Sequence, residues 1–163
     1  MNRPILKNGS RAKERMPWLR AILSAGLLAI IVNTAMLSMA DHLHIVTARG
    51  GLLTLLLRIG PTLPPIAKTY AFQQAFHIVV GVGMAVFYVF TFAKLPASAL
   101  ARGFAYALVV WLANACIILP LIGQGFAGHD VLTPLGMIFF AIAHTVFFML
   151  TAFLYHRWHE LGG

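Results

Sequence analysis

Negative charge is almost missing from this chain. Glu14, Asp41, Asp130 and Glu160 are its only carboxylate side chains, against twelve Lys/Arg. None of the four lies inside a long apolar run, so a protonated or metal-bearing histidine in such a run would need a cofactor for its partner. Cysteine occurs once, at Cys116 inside an apolar segment, which excludes an intrachain disulfide and says nothing of redox compartment. There is no Walker loop, no nucleophile elbow, no Cys-x-x-Cys and no His-Glu-x-x-His, so an enzyme reading has no motif to rest on. The net charge is +8, yet half of the positive residues fall in the first twenty and no nucleic-acid module is readable in the remainder. That asymmetry points to anionic lipid at a membrane surface and away from nucleic acid.

What is present is apolar. Of the 163 residues 60% are hydrophobic and 10% charged, with a mean hydropathy of +0.85. About 20 mostly apolar residues cross roughly 30 Å of hydrocarbon, and four stretches reach that length. The expected fold is therefore all-α, an integral membrane bundle of four transmembrane helices over about 18–40, 70–93, 102–122 and 134–155. One interfacial or re-entrant helix is expected over about 44–59. Residues 1–17 read as a basic cytoplasmic tail, 18–156 as a single transmembrane domain and 157–163 as a C-terminal tail. Ser38-Met39-Ala40 resembles a signal cleavage site, but the apolar run before it is longer than the usual signal core of about 7 to 15 residues. His44, Thr47, Gly51, Thr54 and Arg58 make a narrow polar or small stripe on the fifth helix, which is short for a crossing at about 15 residues. A fifth span is the rival reading. Prolines 61, 64 and 65 end it.

Four crossings put both termini on one side, and short loops make sequence neighbours antiparallel neighbours. That side collects nine Lys/Arg, including Lys94, Arg102 and Arg157, while Arg49, Arg58 and Lys68 fall on the other. The bias predicts both termini inside. Counted inward from the outer ends, Asn33, His77, Asn114 and His144 arrive at similar depths, roughly 10 to 15 Å at 1.5 Å per residue. His77 and Tyr88 share a helical stripe with Gly81 and Ala85, and His144 and Tyr155 repeat the same spacing. Two tandem hairpins of one design would explain this.

The polar level reads in three ways. It is a hydrogen-bond cluster pinning the helices, a midpoint site of a small permease, or a pair of axial ligands, His77 and His144, for a b-type haem. On the outer face Asp41, His42, His44, His129 and Asp130 are candidate ligands of a transition metal, with solvated interface residues as the plain alternative. His156 and His159 read as interfacial polar residues on the opposite face.

Phe76-His77 with Gly81 and Tyr88, then Pro96, Arg102-Gly103, Pro120, the loop Gly123-Gln124-Gly125-Phe126, and His144 to Tyr155 together resemble uncharacterised small bacterial inner-membrane proteins of YagU-like type. The likeness covers about residues 70–156. It implies a compact multi-pass inner-membrane protein and carries over no activity or site residue. The expected function is a non-catalytic membrane protein, an accessory subunit packing against other membrane subunits or itself.

Overall fold

The computed structural model describes residues 17–48, 50–60 and 64–161. The basic tail, Arg49, residues 61–63 and the last two glycines lie outside the described residues. The chain forms α1 (Pro17–His42), α2 (Gly51–Ile59), α3 (Tyr70–Thr91) and α4 (Ala99–Ala113), then a π turn (Asn114–Ile118), α5 (Leu119–Leu121) and α6 (Pro134–Leu161). Among the described residues four helices are long and apolar enough to cross a membrane: Trp18–His42, Tyr70–Thr91, Ala99–Leu121 and Pro134–Glu160. Ile31, Val79, Phe104 and Ile138, one from each, are more than half exposed. Such an apolar collar is costly in water, at about 25 cal/mol for each Å².

Local chemistry sets the helix ends. Thr69 and Ser98 cap α3 and α4 by accepting from the Phe72 and Ala101 backbone N–H groups at 3.3 Å each. Pro120 lacks the N–H that would reach the Cys116 carbonyl and its ring crowds that turn. The backbone takes the wider π turn just before it, with Leu119 N–H donating to the Asn114 carbonyl. Gly123, at φ 80°, then closes α5 in a Schellman turn in which Gly123 and Gln124 donate to the Pro120 and Leu119 carbonyls.

Trp18 meets Phe90 with ring centroids 5.9 Å apart, and Arg102 meets His156 at 3.0 Å. These contacts bring the start of α1, the end of α3, the start of α4 and the end of α6 to one end of the bundle, here the terminal end. The opposite, or lid, end carries α2. Small residues decide how the helices meet. A Cβ on Gly26 would lie 2.5 Å from Ala85, and one on Gly81 would lie 2.5 Å from Ile30, so the Gly81-x-x-x-Ala85 face beds on α1. Gly103 lets α4 approach the α6 backbone at Met149, as α1 approaches α6 on its other side.

Several expectations need correction. α3 and α4 are neighbours in sequence but do not pack along each other, because the α3–α4 turn joins only their ends and Tyr106 fills the gap. The tandem-hairpin symmetry is broken for the same reason, since its α1–α6 contact has no α3–α4 counterpart. The helix expected over 44–59 is only Gly51–Ile59. His44 at φ 56° and Gly50 at φ 79° interrupt it, so His44 and Thr47 are not on its stripe. α6 runs on to Leu161, well past residue 155, and α4 begins at Ala99, three residues before the expected start.

Candidate functional site

Because α3 and α4 stand apart, the lid half of the bundle encloses a cavity of about 450 Å³. Asn33, His77, Asn114 and His144, one polar residue from each long helical segment, all line it. They do not form one hydrogen-bonded ring. Asn33, 1% exposed, donates from Nδ2 to the Ala143 carbonyl at 2.9 Å, and a carbonyl only accepts, so the amide orientation is fixed. Its Oδ1 therefore faces His77 Nε2 at 3.1 Å, and that nitrogen must carry a hydrogen and donate. One amide thus ties α1 to both α3 and α6. Asn114 donates to the Val110 carbonyl of its own helix at 3.0 Å. His144 Nδ1 donates to the Phe140 carbonyl at 2.9 Å, with its ring 4.0 Å from the Phe140 ring centroid.

Replacing Asn33 by leucine removes both interhelical bonds. Such bonds average about 0.6 kcal/mol and reach about 1.7. Asn33→Leu is therefore expected to lower stability by about 1 to 2 kcal/mol, read from the denaturation midpoint in mild detergent. An unchanged midpoint would show that the Asn33 contacts add nothing.

The cavity has a floor, a roof and a mouth. Tyr106 is the floor: it is 1% exposed, donates to the Met84 carbonyl at 3.0 Å, and packs with ring centroids 4.5 Å from Phe148 and 4.7 Å from Phe92. The roof is Ala48 with Gly50 to Leu53, where Leu53 is the buried residue of α2. Arg58 holds that helix by donating from Nη1 to the Leu121 carbonyl at 3.0 Å, at an α-helical C-terminus that favours a cation. The mouth lies in the α3–α4 seam, where Phe87 and Val109 line the cavity and are each 52% exposed. No described lining residue is Asp, Glu, Lys, Arg, Ser, Thr or Cys, so the described part of the wall is apolar with a few neutral polar groups.

The other expected site residues lie elsewhere. Tyr88 and Tyr155 do not share a site with the two histidines. They pack edge to face at 6.1 Å in the core at the terminal end, since a stripe about 16 Å long reaches from one end of the bundle toward the other. The outer metal group does not assemble: among the described residues no three of His, Cys, Asp and Glu are placed to hold a metal. Asp41, His42 and His44 sit at the end of α1 and the turn after it, and His129 pairs with Asp130 at 2.6 Å. A haem held by the ε nitrogens of both histidines does not fit either, because His77 Nε2 is committed to Asn33.

His156, expected as an interfacial polar residue, instead ties helices together. Its Nε2 lies 3.0 Å from Tyr88 Oη and 3.0 Å from Arg102 Nη1, and Arg102 also donates to the Ala93 carbonyl at 2.7 Å. A guanidinium can only donate, so Nε2 accepts and α3, α4 and α6 are joined at the terminal end. The signal was available, because Arg102 near the start of α4 and His156 near the end of α6 lie at one level on antiparallel helices. Gln73 and Gln74 also line the cavity, and no motif in the sequence points to them.

Fold and site together define a class: an all-helical bundle with membrane-length helices around a cavity, uncharged among its described lining residues, that opens between two of them. Comparison with protein-family models, curated proteins and solved structures finds no match for the chain.

Proposed function

We propose that this chain is a non-catalytic, multi-pass protein of the bacterial inner membrane, with both termini cytoplasmic, that holds a small, neutral, largely apolar molecule. In that role it is an accessory, ligand-holding subunit of a larger membrane assembly. The observation that carries the reading is the cavity of about 450 Å³, within the roughly 300 to 1,000 Å³ of small-molecule sites. Its described lining carries no charged side chain and so suits an uncharged guest, since a charge buried without a partner costs several kcal/mol. The seam mouth would open sideways into the bilayer, where such a guest dissolves. A catalytic role finds little support in the wall, where one imidazole is tied to Asn33 and the other to a backbone carbonyl. The inward orientation is supported by nine of twelve Lys/Arg falling at the terminal end and its tail.

The test is competition binding of an apolar fluorescent probe to the full chain in lipid nanodiscs. Val110 lines the cavity, whereas Leu108, 48% exposed on the same helix, does not. Saturable binding is expected, weakened at least about tenfold, or 1.4 kcal/mol, by Val110→Phe and unchanged by Leu108→Phe. Equal affinity in both variants would place the probe on the lipid-facing surface and overturn the reading.

A further inference from the structure

The polar atoms on the cavity wall are not equivalent, and their hydrogen bonds say what kind of head group can complete them. Asn33 uses its amide N–H on Ala143 and its oxygen on His77. Tyr106 spends its hydrogen on the Met84 carbonyl. His144 differs. At neutral pH an imidazole carries one proton, and here it must sit on Nδ1, because the Phe140 carbonyl can only accept. That leaves Nε2 as a bare acceptor with no hydrogen bond to any described residue. A second uncommitted group lines the same space, since the Asn114 amide gives one of its two hydrogens to Val110 and keeps the other.

We propose that the guest is an apolar alcohol or phenol whose hydroxyl hydrogen is taken by Nε2 of His144. Elimination supports this choice. A ketone, ester or quinone carbonyl could accept the spare Asn114 hydrogen but has none to give, so the lone pair of Nε2 would stay unpaired. A carboxylate would enter a wall with no described cation. An ammonium could donate to Nε2, but it would meet no described carboxylate and would be desolvated without compensation. A hydroxyl is both donor and acceptor, so it can give its hydrogen to His144 and still accept one from a donor on the same wall, where Asn114 has a hydrogen to spare. The body of the guest then lies among Ile30, Val80, Val110 and Phe147, which are apolar throughout. A site that hydrogen-bonds a ligand hydroxyl discriminates against the analogue without it far more strongly than an apolar pocket discriminates by size.

This inference rests on the cavity reading and is tested so that the two can fail separately. In nanodiscs, dodecanol, its methyl ether and dodecane compete against the apolar fluorophore on the full chain. The alcohol is expected to bind at least tenfold more tightly than the ether. The ether keeps the oxygen and the chain and lacks only the donated hydrogen. In His144→Phe, which retains a ring to pack on Phe140, the preference is expected to vanish while ether affinity stays within about twofold. The comparison on the unaltered chain is independent of whether that variant folds. Equal affinity of alcohol and ether there overturns the hydroxyl assignment and leaves the cavity reading standing. Failure of all three to displace the fluorophore overturns both.

Discussion

Gly103→Leu is expected to force α4 off α6 and destabilise the bundle by about 3 kcal/mol or more. A Cβ at Gly103 would lie 2.9 Å from Ala152 Cβ, 2.9 Å from Met149 Cα and 3.0 Å from the Phe148 carbonyl oxygen. Two of those three are backbone atoms of a packed helix, so no rotamer change can clear them, and overpacking costs reach the top of their usual 1 to 3 kcal/mol range. Gly83→Leu on α3 is the matched control, because a Cβ there meets nothing within 4 Å. Both substitutions gain the same helix propensity, about 0.8 to 1 kcal/mol, so the difference between them isolates the contact. Denaturation midpoints in mild detergent read the difference directly. Equal midpoints would mean that α4 and α6 do not meet at Gly103.

That contact was only half readable from the chain. Arg102-Gly103 stood out in sequence, but a glycine in an apolar helix does not name its partner. The helices themselves were legible because roughly 20 apolar residues between breakers is a length criterion that needs no tertiary knowledge. Counting 1.5 Å per residue from the helix ends put Asn33, His77, Asn114 and His144 at similar depths, and all four line one cavity. Lateral position was not legible. Nothing in the His77-to-Tyr88 stripe says that α3 packs on α1 and leaves a gap toward α4, so residues on one stripe came to serve two ends of the bundle. The same blindness misjudged the outer metal group. Asp41, His42 and His44 share an end with His129 and Asp130, but sharing an end does not bring side chains within a metal's reach of about 2 Å.

Tyr106 makes the gap between α3 and α4 a cavity and not a cleft running the length of the bundle, and its removal should act on both stability and binding. The ring is almost fully buried against Phe92, Phe148, Tyr88 and Phe87. Truncation of a buried aromatic costs about 3 to 5 kcal/mol, so Tyr106→Ala is expected to lower the midpoint by that amount. Tyr106→Phe keeps the ring and gives up only the bond to the Met84 carbonyl, at about 1 kcal/mol. The binding consequence separates a floor from a mere packing residue. With the ring gone the space above it continues toward the terminal end, so in a homologous series of alcohols the chain length of tightest binding should increase. Where Tyr106→Ala is too unstable to assay, Tyr106→Leu retains much of the bulk and should produce a smaller lengthening in the same direction. A loss of stability with no change in preferred chain length would show that the guest does not rest on Tyr106. A change in preferred length in Tyr106→Phe would contradict the assignment of the ring, and not its hydroxyl, as the floor.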